Sequence, residues 1–145
     1  MKTILVTIDF EKGDQLLIDK AYEFAAAFNA KIWIVHIAAP DPDFVGYGVG
    51  PQHVRDSRAS DLKKEHQQLQ EYAALLNNHG IDAESLLVQG ATIKMVIEEA
   101  QKLHADLIVA GHREHGFLYK ALVGSVSSEI INRSKIPVLI VPLEG

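Results

Sequence analysis

The sequence predicts a single doubly wound α/β domain: a five-stranded, mostly parallel sheet with helices on both faces. Three observations predict it. Short apolar runs alternate with longer segments of helical period along the whole chain, and strands joined by helical crossovers lie parallel. The interior runs, above all Ile32-Trp33-Ile34-Val35-His36-Ile37, are nearly continuously apolar, which signals burial on both faces. A chain of 145 residues with 48% hydrophobic and 23% charged residues suits one core spanning residues 1–145 and leaves no room for a second.

The elements follow in order. Thr3 to Ile8 is rich in β-branched residues and ends at Asp9 before a charged, Gly-containing turn, so it reads as the first strand. Asp14 is placed to cap a helix in which Leu17, Ala21, Phe24, Ala25 and Phe28 form one apolar stripe. Lys31 to Ile37 is the second strand. Ala38 to Asp56, with three prolines and three glycines and no period, reads as a loop of functional length. A long helix is expected from Ser57 to Asn78, with Leu62, Leu69, Tyr72, Ala73 and Leu76 inward, Lys63, Lys64, Glu65, Gln67, Gln68 and Glu71 on a solvated face, and His79-Gly80 as its stop. Ser85 to Val88 is the third strand, and Ile93, Val96, Ile97 and Ala100 mark a third helix. Asp106 to Ala110, Ser125 to Asn132 and Val138 to Val141 complete the chain as strand, helix and strand. Right-handed crossovers leave few topologies, and the expected strand order is 3-2-1-4-5. Ligands of such sheets sit beyond the carboxyl ends of the strands, where the order reverses. That rule points to Asp9, Ile37 and Gly111.

Charge and composition narrow the function. With 14 basic and 19 acidic residues the net charge is -5, the wrong sign for a partner of long nucleic acid. The absence of cysteine removes disulfides, zinc-thiolate sites and thiol catalysis. No run approaches the length of a membrane span, and Met1 to Asp9 makes a poor signal peptide. The expectation is a cytoplasmic protein.

The informative segment runs from Gly111 to Ser127, between a buried strand and a helix. Gly124-Ser125-Val126-Ser127 opens that helix, where unpaired N–H groups and the macrodipole attract anions and two hydroxyls add donors. His112, Arg113, His115 and Lys120 add donors or positive charge. On the residues alone this is either a phosphate cradle or ordinary helix capping. Gly111 and Gly116 have the spacing of a P-loop, but Phe117-Leu118 stand where Lys and Ser/Thr are required. Gly46-Tyr47-Gly48-Val49-Gly50 opens no helix and is not a dinucleotide fingerprint. His112, Glu114 and His115 lack an element that would fix metal geometry. No nucleophile, base and orienting group stand at interpretable spacing, so no enzyme is indicated. Asp9 can serve a ligand or cap a turn. His36 reads as a satisfied interior histidine, and Trp33 as core.

Over its whole length the chain resembles the universal stress protein family. Nucleotide-binding members carry Gly, two residues, Gly, nine residues and Gly-Ser/Thr between the fourth strand and the last helix. Gly111 matches the first glycine and Gly124-Ser125 the closing pair, while Glu114 stands at the middle glycine. Ile4 to Asp9, Val35-His36-Ile37, Gln89-Gly90, Ala105 to Gly111 and Ile136 to Val141 share the family's look. The resemblance implies a site for ATP or AMP, with Mg²⁺ beside a triphosphate. Asp9 would meet the ribose or adenine, and the Ile37 and Ala110 backbones would border the base. Gly111 would permit close approach, and Gly124, Ser125, Val126 and Ser127 would hold phosphates. It also implies a homodimer through Val138 to Val141, where an apolar edge strand has its own reason to pair. Glu114 would crowd the phosphates, which keeps open a dimeric interaction protein of this fold that binds no nucleotide. An adenylating enzyme ranks last, because Asp9-Phe10-Glu11-Lys12-Gly13 is no serine- and glycine-rich pyrophosphate loop.

Overall fold

The computed structural model describes residues 1–10, 12–38, 52–90, 92–113 and 130–143, without the side chains of 52–58, 92–93 and 113. Its elements are β1 (Thr3–Thr7), α1 (Asp14–Phe28), β2 (Lys31–Ala38), α2 (Gln52–Asn78), β3 (Ala83–Gln89), α3 (Thr92–Lys102), β4 (Leu107–Arg113) and β5 (Val138–Leu143). Residues 130–133 are helical. The strands form one sheet in the order β3-β2-β1-β4-β5, and all four neighbouring pairs are parallel. The expected fold and strand order are those observed.

Strand periodicity divides the core between the two faces. Ile4, Val6, Ile32 and Ile34 meet Leu17, Ile18 and Ala21 of α1 and Leu69, Ala73 and Leu76 of α2. Leu5, Val35, Ile37 and Ile108 meet Val96 and Ala100 of α3 and Ile130 on the opposite face. Each large aliphatic side chain so buried contributes on the order of 2 kcal/mol of transfer free energy. The end of β1 is therefore held between helices on one side and helices on the other.

Several boundaries differ from expectation for physical reasons. Asp14 does not cap α1. It is the first helical residue, and Gly13 takes the cap position with φ 111°, a left-handed conformation that favours glycine. Phe28 is 53% exposed at the end of α1 rather than part of its buried stripe, because Asn29 turns the chain out at φ 55°. The helix α2 begins at Gln52, so the last residues of the predicted loop are helical. β4 runs through Gly111 to Arg113, which puts Gly111 inside the strand instead of in the loop after it. β5 continues past Pro142 to Leu143; as an edge strand it loses no essential donor at a proline. Trp33 is half-buried, with the Lys31 ammonium 4.7 Å from its ring centre. The predicted loop residues 39–51, Glu114, Gly124, Ser125, Val126 and Ser127 lie outside the described residues.

Candidate functional site at the carboxyl ends of the strands

The chain leaves β1 towards β2 and β3, then returns to the other side of β1 for β4 and β5. The order thus reverses between β1 and β4, and the crevice beyond their carboxyl ends is where such sheets bind ligands. Four of the sequence-predicted residues come together at this pole. Asp9 follows β1 and is half-buried. Ile37 and Ala110 are 6% and 4% exposed, in β2 and β4. Gly111 pairs in register with Val141 of β5.

Gly111 also has a packing reason to be glycine. A Cβ there would lie 2.4 Å from Leu143 Cδ1 and 3.4 Å from Leu17 Cδ1, closer to the first than any real contact. Leu143 likewise crowds Gly13, whose Cβ would stand 3.1 Å from Leu143 Cδ2. One leucine therefore fills the space over two glycines beside the crevice.

The segment around Asp9 is fixed by groups that sequence reasoning assigned elsewhere. Ile8 donates its N–H to the Val35 carbonyl at 3.0 Å, and the Asp9 N–H lies 3.5 Å from Asp14 Oδ1. Asp14 is 5% exposed, a buried carboxylate at the start of α1, where the helix dipole favours negative charge. Burial, and then the Asp14 charge, push the Tyr72 phenol above its ordinary range. His36 Nδ1 is 2.8 Å from the Ile8 carbonyl, and its ring meets Phe10 edge-on at 4.6 Å. Its Nε2 lies 3.6 Å from Glu65 Oε2. The expected satisfied histidine is thus present, but half-buried and tied to the site.

Glu65 was expected on the solvated face of the long helix and is not there. It lies four residues before Leu69 and seven before Tyr72, on the inward stripe, and that spacing was the signal that could have found it. Among the described residues, no group of three or more His, Cys, Asp or Glu could hold a metal ion. An open hollow of about 660 Å³ lies at the opposite pole, between Lys2, Phe28, Lys31 and Asp82. There Lys31 is already engaged by Glu84, whose hydrogen bond chiefly raises its pKa. The carboxyl pole, with its charged group beside buried main chain, is the better candidate.

The fold, strand order and sequence now bear on one family, and the universal stress protein profile matches residues 1–142. The chain belongs to the universal stress protein family. Among its relatives, universal stress protein A homolog 2 of Coxiella burnetii is 30% identical over 149 residues, covering 99% of this chain and 97% of that protein. A universal stress protein solved in complex with cAMP is 28% identical with a TM-score of 0.66, covering 97% of this chain and 95% of that one. The Archaeoglobus fulgidus universal stress protein in complex with dAMP is 17% identical with a TM-score of 0.68, covering 97% of each chain; at that identity the likeness concerns the fold. No described helix of this family member is long and apolar enough to cross a membrane.

Proposed function

We propose that this universal stress protein binds an adenine nucleotide, ATP or AMP, at the carboxyl pole and acts as a dimeric stress-response regulator rather than a metabolic enzyme. The observation that carries the reading is the half-buried Asp9 carboxylate at the reversal of strand order, flanked by the buried Ile37 and Ala110. A carboxylate accepts hydrogen bonds from ribose hydroxyls or an exocyclic amine, and strand-end main chain can border a base. That combination of acceptor and main chain fits a nucleoside. The complex of a 28% identical relative with cAMP supports the same class of ligand. In this reading Gly111 flanks the nucleotide, and Gly124, Ser125, Val126 and Ser127 receive its phosphates through main-chain amides and hydroxyls. Mg²⁺ would ride on the phosphate oxygens of a triphosphate with few protein ligands.

Freshly purified protein, denatured and chromatographed, should release adenine nucleotide at near one per chain. Titration calorimetry with AMP and with ATP/Mg²⁺ then gives the affinity. Gly124→Leu should abolish binding while circular dichroism stays unchanged; undiminished affinity would falsify the cradle. Glu114, where the family pattern has glycine, favours a second reading, a dimeric interaction protein without nucleotide. An empty release assay with no heat on titration selects it.

A further inference from the structure

We propose that His36, braced by Glu65, is the positioning residue that sets the main chain of Asp9 at the candidate nucleotide site. The proposal rests on the nucleotide reading for its ligand but not for its geometry. β2 sends Ile32, Ile34 and His36 to the same face of the sheet. The first two are fully buried in the apolar core, and a third apolar residue would fit the pattern. A ring with two polar nitrogens stands there instead, and both face protein groups. The Ile8 carbonyl at 2.8 Å can only accept, so Nδ1 carries a proton and donates it. Nε2 faces Glu65 Oε2 at 3.6 Å, an oxygen sealed from solvent that makes no hydrogen bond among the described residues. That approach sets α2 against the ring.

The ring in turn holds both neighbours of Asp9. On one side it takes the Ile8 carbonyl. On the other it packs against Phe10, whose φ of 63° is left-handed and unfavourable for a bulky side chain. Such a conformation persists only where its surroundings over-determine it. His36 and Glu65 are part of those surroundings. The chain from α2 through Glu65, His36 and Ile8 to Asp9 is continuous, and none of the first three needs to touch the ligand.

The test compares the full-length protein with His36→Leu, His36→Asn and Glu65→Leu. Asparagine places an amide donor near the position of Nδ1 and can restore the bond to Ile8. Amide exchange measured by NMR should show the Asp9 N–H exchanging about tenfold faster in His36→Leu, with Ile4 to Val6 unchanged. AMP affinity should fall about tenfold in the same variant, less in Glu65→Leu, and return to within roughly threefold of the parent in His36→Asn. Unchanged Asp9 exchange in His36→Leu overturns the proposal. So does an asparagine variant no better than leucine in exchange and binding. If the parent protein binds neither AMP nor ATP/Mg²⁺, the nucleotide reading fails, and the exchange comparison alone decides the positioning role.

Discussion

Leu143 and Gly111 show how tightly single residues are matched beside the crevice. Gly111→Ala would drive a methyl group to 2.4 Å from Leu143 Cδ1 and should lower stability by about 1–3 kcal/mol, the usual range for overpacking. Adding Leu143→Ala should recover part of that loss, so the two changes will not sum. Urea unfolding of the four proteins of the cycle measures this, and strict additivity would contradict the contact. Tyr72 offers a second residue-scale test. Its phenol is raised by burial first and by Asp14 second. Keeping it neutral stabilises the fold below the ordinary tyrosine value of about 10, and this contribution is lost as pH rises through the higher folded value. Asp14→Asn should move the Tyr72 titration part of the way down, read at 295 nm against Tyr72→Phe. At this scale the sequence was least legible. By residue type Glu65 and Asp14 read as solvated charge and as cap, yet Asp14 is buried near the Asp9 N–H and Glu65 lies half-buried against His36.

At the scale of elements, apolar runs and helical stripes identified every described strand and helix, because burial on one or two faces leaves a period in the sequence. Ends were less legible. Gly111 and Pro142 look like terminators, yet β4 and β5 pair through His112↔Pro142 to Arg113↔Leu143, since an edge strand needs no donor on its open side. Another end is clipped by a side chain. Asp106 Oδ2 accepts the N–H groups of Lys2 at 2.7 Å and Thr3 at 3.1 Å, and the Asp106 N–H donates to the Thr3 carbonyl at 2.7 Å. Those two main-chain donors hold the Asp106 carboxyl below its usual range. A depressed carboxylate contributes stability that is complete above the ordinary aspartate value of about 3.9 and fades as pH falls through the folded value. Asp106→Asn should therefore give a small loss of thermal stability at neutral pH and a shallower decline in acid. A parent-like acid limb in that variant would show that the clip adds nothing.

For the whole molecule, the alternation of elements made the parallel sheet legible, and the reversal of strand order pointed to one pole as the candidate site. The proposed phosphate-binding half was legible only through the family motif, because Gly124-Ser125-Val126-Ser127 read from sequence alone fits a cap as well as a cradle. Pairing of two chains belongs to this scale too. In the single chain β5 is an edge strand whose Val138, Leu139 and Ile140 are only half-buried, and the proposed dimer would cover it. Light scattering after gel filtration should report twice the chain mass at micromolar protein, and Ile140→Lys should halve it without unfolding the domain. A parent protein that elutes as a clean monomer would rule this out.

The pairing of β1 with β4 also dictates the order of events when the chain is made. Ile4 aligns with Leu107, and Val6 with Val109, so one flank of the most interior strand waits until most of the polypeptide has left the ribosome. During that interval β1 can dock on β2 while its other side presents unsatisfied amides and carbonyls. Long-range closure of this kind slows folding and prolongs the exposure of sticky surface. Nascent chains halted before residue 107 should consequently be the species that chaperones hold and proteases find.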